Sequence, residues 1–173
     1  TISERLFDLS IFWRELLDSV LRLSIFIGYI VLIRRSRDIH RVFMYHGAEH
    51  KAVNAYEAGA PLSVNSVRPF TLIHPRCGTS FLLVVMLISF VLFFFVGELN
   101  FFVRLLARIA FAPPIAGIAY ELLRLSARNY HRSWVRALVA PTLALQRLTT
   151  APPDDQMLEV SIFALKRVLD AYG

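Results

Sequence analysis

The heptapeptide YHGAEHK, residues 45–51, contains two histidines and a glutamate within five positions: His46, Glu49 and His50. In an α-helix, residues four apart lie on the same face one turn from each other, so both imidazoles can bind one metal ion. The order His-x-x-Glu-His is the reverse of His-Glu-x-x-His, and both orders occur in zinc hydrolases. The spacing therefore predicts a divalent metal, zinc before others, with Glu49 as the general base that accepts a proton from water.

Two histidines do not complete such a site, because a catalytic zinc ion usually has three protein ligands and one open position. We expect His74 or Glu121 to be the third ligand, since each is placed to reach the same side of a membrane. Cys77, in the same HPRCG sequence as His74, is an alternative ligand. Glu57 shares the helical face of the two histidines, but it lies two turns beyond His50, at about 10 Å. We therefore expect Glu57 to support a ligand and not to bind the ion itself.

Simpler explanations exist for the same residues. A solvated helix at a membrane surface, with Glu49 paired to an arginine, would contain both histidines without a metal. Gly47 weakens that helix by about 1 kcal/mol relative to alanine. Glu121 could pair with Arg124, since an ionisable group near a membrane boundary needs a partner or water. Cys77 could be a nucleophile if a nearby arginine or histidine favours its thiolate. These alternatives stay open at the level of sequence.

Composition favours a membrane protein. Apolar residues make up 56% of the 173 residues, including 14 phenylalanines, and are concentrated in blocks, above the share of an ordinary soluble domain. The net charge of +6 would suggest nucleic-acid binding in a soluble protein, but the arginines gather beside apolar runs, at 34–41 and 124–136. The cytoplasmic flanks of membrane helices collect such residues, so we expect lipid and not nucleic acid as the partner. The single cysteine excludes an internal disulfide.

Three apolar segments are candidates for crossing the bilayer. Residues 3–33 follow a helical period, and their less polar end makes 16–33 a candidate span. Residues 79–96 contain no charge, proline or glycine and would form a helix of about 27 Å, which nearly matches the hydrocarbon core. Residues 101–125 are a weaker candidate because they contain two arginines and the pair Pro113-Pro114, which predicts a kink.

These segments define one all-α membrane domain over residues 1–173, with two or three transmembrane helices. If 79–96 and 101–125 form a hairpin joined by the GELN turn, both basic clusters lie on one side, and positive charge makes that side cytosolic. The His-rich segment 34–78 then lies in the cytosol. So does 126–173, which contains an amphipathic interfacial helix, a TTAPPDD linker and a cytosolic packing helix.

The sequences VFMYHGAEHKAVNAYEAG, HPRCGTSFLLVVM, AGIAYELLRL and LQRLTTAPPDDQMLEVSI follow one another over most of residues 38–165. In these stretches the chain resembles the YqhQ-like family of bacterial integral membrane proteins, whose function is unknown and which is sometimes labelled metal-dependent. The resemblance implies a multi-pass protein of the bacterial inner membrane with the HxxEH segment in the cytosol. Family chains begin with a glycine-rich segment similar to GGQAVMEGVMMRGP, which is not among these residues. If that segment belongs to the site, the residues here form an incomplete set.

The leading hypothesis is a metal-dependent hydrolase with its site at the cytosolic face of the membrane. The alternative is a non-enzymatic scaffold whose basic cytosolic surface docks a protein partner, such as the translocation machinery or a ribosome. A transporter fits less well, because 79–96 offers no polar pathway. Small residues such as Ala116 and Gly117 favour a homo-oligomer. Thr1 is not an initiator methionine, so we expect the chain to be truncated at its N-terminus.

Overall fold

The computed structural model describes residues 9–96 and 100–172, without the side chains of 9–12, 14–15, 94–96 and 172. This part of the chain is all-helical and contains no strand, which confirms the predicted all-α class. Its helices are α1 (Leu9–Ile33), α2 (Arg37–Glu57), α3 (Val64–Val67), α4 (Gly78–Val96), α5 (Phe101–Arg128), α6 (Ser133–Thr149) and α7 (Asp155–Tyr172). Residues 3–8 of the first predicted helix, and 97–99 of the predicted GELN turn, lie outside the described residues.

Within residues 9–96 and 100–172, two helices are long and apolar enough to cross a bilayer. In α1 the stretch Leu16–Ile33 has a mean hydropathy of 2.0, and α5 reaches 1.6. The core helix of a soluble protein would be mostly buried, yet only 6% of each apolar stretch is buried inside this protein. Large apolar side chains such as Leu21, Ile25 and Phe102 are more than half exposed. Apolar surface of this extent needs lipid or a protein partner to cover it.

α4 connects the apolar helices to the rest of the protein. It runs from Gly78 to Val96, and the sequence predicts it as the clearest span. α4 packs against α1, α5 and α6. A small core formed by Ile30 of α1, Leu83 of α4 and Leu145 of α6 joins three of these helices. α6 therefore packs against α4 and α1. The end of α6 lies beside the start of α4.

A second core joins α2, α3 and α7. Ala48, Ala52 and Ala55 are at most 1% exposed and follow one face of α2 at helical spacing, where their small size admits α7 closely. The side chains packed on this stripe from α3 and α7 are Val67, Met157, Leu158 and Ile162. Complete burial of a leucine such as Leu158 contributes about 2 kcal/mol of hydrophobic stabilisation. This packing fixes the rotation of α2 about its axis and hence the direction of its histidines.

The predicted linker is a helix boundary in the structure, whereas the helix predicted to kink at its two prolines is continuous. The TTAPPDD segment separates α6 from α7, and the Asp154 carboxylate accepts the N–H of Met157 at 2.9 Å, which caps the start of α7. α5 continues as a helix through Pro113 and Pro114 and ends at Arg128, three residues beyond the predicted 125.

The linker crosses α2 beside Gly47. The N–H of Ala151 donates to the carbonyl oxygen of Phe43 at 2.9 Å, so the two backbones are in direct contact. A Cβ on Gly47 would collide with the carbonyl oxygen of Ala151 and would lie 2.9 Å from Cδ2 of Leu72. Glycine at this position therefore admits the crossing chain, which outweighs its low helix propensity.

Replacement of Gly47 by alanine is expected to lower the free energy of unfolding by about 1–3 kcal/mol, because the crossing backbone has to move. The matched control is Gly28→Ala in α1, where an added Cβ meets nothing within 4 Å. Thermal unfolding of both variants in the same detergent measures the difference. Equal unfolding temperatures for the two variants would contradict the close crossing.

Candidate metal and thiol site

His46 and His50 lie side by side on α2. Their ring centroids are 4.4 Å apart in an edge-to-face arrangement, as the i, i+4 spacing predicts. His50 is buried and His46 is half-buried. Both rings face the junction where α4 begins and α6 ends.

One nitrogen of each ring is fixed by a backbone carbonyl group. Nδ1 of His46 donates to the carbonyl oxygen of Thr149 at 2.9 Å, and Nδ1 of His50 donates to that of Leu72 at 2.5 Å. A carbonyl oxygen can only accept, so both Nδ1 atoms carry the proton. In the neutral rings the lone pair is therefore on Nε2. Hydrogen bonds of this kind orient histidine ligands in metal sites.

Cys77 meets these rings from the turn before α4. Its Sγ lies 3.2 Å from Nε2 of His46 and 3.1 Å from Oγ1 of Thr79, and the side chain is 5% exposed. One ligand atom from each of His46, His50 and Cys77 lies within 4.8 Å of the other two. Of the residues in HPRCG, it is therefore Cys77 that lies together with His46 and His50.

The cysteine and His46 change each other's proton affinity. Burial raises the pKa of the Cys77 thiol, but hydrogen bonds from His46, His50 and Thr79 outweigh burial and lower this pKa to about 5. The hydrogen bond to Cys77 raises the pKa of His46, against the effect of burial. In the metal-free protein the Cys77 thiolate and a protonated His46 therefore stabilise each other. A bound metal ion would displace the proton between them.

The three donors fit a zinc ion. Two imidazole nitrogens and one thiolate are a ligand set that zinc prefers, and a tetrahedral ion would keep a fourth position open. Neighbouring ligand atoms around tetrahedral zinc are roughly 3.4–3.7 Å apart, close to the 3.2 Å between Cys77 and His46. The Cys77–His46 pair is therefore near the separation of two zinc ligands, and all three donor atoms lie within 4.8 Å of one another.

His74 lies next to this group, but its ring nitrogens face other residues. Its ring centroid is 6.0 Å from that of His50, and its Nδ1 accepts the N–H of Arg76 at 3.3 Å. Its Nε2 is 3.4 Å from a carboxylate oxygen of Glu57, outside hydrogen-bond geometry. Burial lowers the pKa of His74, although the Glu57 charge opposes this effect. Glu57 also pairs with Arg76 at 2.8 Å, so it supports the turn that contains Cys77.

The two remaining residues of the predicted site, Glu49 and Glu121, lie far apart in the chain and belong to different helices. Glu49 is exposed and, together with His46, lines a groove between α2 and α7. Its charge contributes to the raised pKa of His46. Glu121 lies on α5 with a side chain that is 66% exposed, 3.7 Å from Arg124. This ion pair is the alternative to metal binding that the sequence suggests for Glu121.

Two α2 residues that the sequence analysis did not select attach the segment before Cys77 to the helix. Lys51 donates through Nζ to the carbonyl oxygens of Arg68, at 2.6 Å, and Phe70. Asn54 donates through Nδ2 to those of Thr71 and Ile73, both at 3.1 Å. With the His50 bond to Leu72, one face of α2 binds four consecutive carbonyl groups, 70–73. The indication of this role in the sequence was the spacing of polar residues along α2. The same spacing is also typical of a solvent-exposed helix face.

Gln146 holds the same turn from the other side. This side chain is completely buried in α6. Its Oε1 accepts the N–H of His74 at 2.9 Å, and its Nε2 donates to the His74 carbonyl oxygen at 2.8 Å and to Oγ of Ser80 at 2.7 Å. In the sequence the only indication of this role is an uncharged polar residue among the leucines of LALQRL.

Replacement of Gln146 by leucine is expected to lower the free energy of unfolding by about 2–4 kcal/mol, because two backbone groups of His74 lose their partner in a buried position. Gln156→Leu, at an exposed position of α7, is the matched control. Chemical unfolding in detergent measures both variants. If both lose the same small amount of stability, Gln146 does not fix the turn.

The Cys77 thiol of the metal-free protein is expected to titrate near pH 5. Thiolate absorbance near 240 nm, taken as the difference between the wild type and Cys77→Ser, should be complete at neutral pH and disappear below about pH 5. His46→Ala should move the midpoint upward, since it removes the main stabilising hydrogen bond. Thiolate that forms only above pH 8 in the wild type would show that the histidines do not stabilise it.

Comparisons with known proteins identify a family and no activity. Over residues 1–171 the chain matches a family described as protein of unknown function (DUF1385). It is 35% identical over 153 residues to the uncharacterized protein YqhQ of Bacillus subtilis (strain 168), which covers 88% of this chain and 48% of that protein. The chain thus spans about half the length of this relative, and no solved structure matches it. The predicted resemblance is confirmed: the chain belongs to the DUF1385 family and is similar to YqhQ.

Proposed function

We propose that this protein binds a zinc ion through His46, His50 and Cys77 at the cytosolic face of a membrane, and that it is a metal-dependent hydrolase. The observation that supports this most strongly is the convergence of two Nδ1-protonated imidazoles on one buried thiol. Imidazole nitrogens and a thiolate are ligands that zinc prefers. A metal ion with an open position would use all three and leave room for a substrate.

The membrane assignment is supported by exposure and charge. The apolar surfaces of α1 and α5 are exposed along their length, and lipid would cover them. Arginines cluster where α1 meets α2 and where α5 meets α6, at 34–41 and 124–136. The positive-inside rule places these flanks in the cytosol, together with α2, α7 and the site. For a bacterial protein that membrane is the inner membrane.

Different residues of the chain would have different roles in hydrolysis. A bound zinc ion would supply Lewis acidity to the reacting oxygen. His46, His50 and Cys77 would hold it, and the carbonyl oxygens of Thr149 and Leu72 would keep both imidazoles in the correct tautomer. Glu49, exposed in the same groove, would accept a proton from the attacking water and return it to the leaving group.

A second candidate function is thiol-dependent acyl transfer without a metal. The 3.2 Å contact between Cys77 and His46, and the lowered pKa of the thiol, are the features of an activated cysteine nucleophile. In that reaction the Cys77 sulfur would bond to an acyl carbon and His46 would protonate the leaving group. Mass spectrometry of the metal-free protein with an acyl ester would then show an acyl group on Cys77.

Elemental analysis of the purified protein is expected to find about one zinc ion per chain. His46→Ala, His50→Ala and Cys77→Ser should each lower zinc affinity by at least about tenfold, since each removes one of three ligands. Glu49→Gln should keep the zinc ion and lose hydrolysis. Zinc content that is unchanged in Cys77→Ser would contradict the assigned ligand set.

Control variants separate ligands from neighbours. His131→Ala removes an exposed histidine that contacts none of the three donors, and it should bind zinc like the wild type. His74→Ala and Glu121→Ala test the two ligands predicted from the sequence, and both variants should also keep the ion. If His74→Ala loses zinc while Cys77→Ser retains it, the third ligand is the histidine.

A further inference from the structure

A groove between α2 and α7 opens beside the site. Its cavity volume is about 680 Å³, within the range of small-molecule pockets. α2 and α7 provide most of its walls, and one threonine from each of α4 and α6 completes it. The lining residues are Val42, Phe43, Tyr45, His46, Glu49, Ala52, Val53, Thr79, Thr149, Val160, Ser161, Ala164, Leu165 and Val168.

The groove leads directly to the reactive thiol. His46 and Thr79 both line it, and both contact Sγ of Cys77, at 3.2 and 3.1 Å. Thr149 lines it as well and accepts the Nδ1–H of His46 through its carbonyl oxygen. A molecule in the groove would therefore touch His46 and Thr79, the two side chains in contact with the Cys77 sulfur.

The remaining lining side chains are mostly apolar, with the hydroxyl groups of Tyr45 and Ser161 as exceptions. From Val42 to Val53 the α2 side extends about 16 Å at the helical rise, and Glu49 and His46 are its only charged or readily protonated groups. The α7 side presents Val160, Ala164 and Val168 at four-residue spacing. Since the backbone groups of both helices are bonded within the helices, these walls offer few hydrogen-bond partners. The groove is thus polar at one place and apolar along its length.

We infer that this groove holds the apolar chain of an amphiphilic substrate, a single-chain acyl ester whose ester group lies at His46 and Glu49. The inference rests on the proposed hydrolase function. A polypeptide is a poorer occupant, because an extended chain would leave its polar backbone unpaired. The bilayer proposed around α1 and α5 is a source of single-chain amphiphiles.

The reaction follows from this placement. The oxygen of water would form a bond to the ester carbonyl carbon, while Glu49 accepts a water proton. The bond between that carbon and the alcohol oxygen would then break, and the alcohol would leave with the proton from Glu49. The products are one carboxylic acid, with its chain still in the groove, and one alcohol, so no oxidant or reductant is needed.

Photo-crosslinking tests the groove independently of activity. The probe is the methyl ester of dodecanoic acid with a diazirine at the far end of its chain, and the protein is the full, zinc-loaded chain in lipid nanodiscs. Crosslinks should map to α2 and α7 and should fall at least about tenfold in Ala164→Trp, whose indole would fill the groove. Phe163→Trp is the matched control, since Phe163 is 61% exposed and is not part of the groove lining.

Ester hydrolysis provides the second measurement. The wild type should hydrolyse 4-nitrophenyl dodecanoate with a kcat/KM at least about tenfold above that for the acetate, and Ala164→Trp should lose this preference while retaining its zinc. Acetate hydrolysis without groove crosslinks would overturn this inference and leave the hydrolase standing. Groove crosslinks without hydrolysis of any ester would overturn the hydrolase and retain the chain-binding groove. Equal crosslinking of the two tryptophan variants would overturn the groove assignment.

Discussion

Two hydrogen bonds determine what the centre of this protein can do: Nδ1 of His46 to Thr149 and Nδ1 of His50 to Leu72. They fix the tautomer of both rings and leave each Nε2 available to a third group. The third group is the Cys77 thiol, 3.2 Å from His46. If either ring were turned over, its lone pair would face the backbone and the three donors could no longer bind one ion. The chemistry proposed for the site therefore depends on where two carbonyl groups are held.

The surrounding structure keeps those carbonyl groups in place. Gly47 allows the segment after Thr149 to cross α2 at backbone distance, and Lys51 and Asn54 attach the segment around Leu72 to the same helix. The alanine stripe against α7 fixes the rotation of α2, and buried Gln146 holds the turn that ends in Cys77. Each of these contacts joins parts of the chain that are distant in sequence.

This explains which features the sequence could predict. The helical class, the apolar segments and the pairing of His46 with His50 depend on local periodicity, which is visible in one sequence. Long-range contacts determine the position of Cys77 and the roles of Lys51, Asn54 and Gln146. Such contacts cannot be predicted from the spacing of residues along the sequence. His74 was the more obvious ligand by residue type, but its Nδ1 accepts the Arg76 N–H and its Nε2 faces Glu57. Gly47 weakens the helix by propensity and is required by packing.

X-ray absorption at the zinc edge tests the central claim most directly, because it identifies the atoms bound to the ion and needs no substrate. A zinc site formed by His46, His50 and Cys77 should show one sulfur at about 2.3 Å and imidazole nitrogens at about 2.0–2.1 Å, with the sulfur absent in Cys77→Ser. A shell of nitrogen and oxygen alone in the wild-type protein would contradict the site described here.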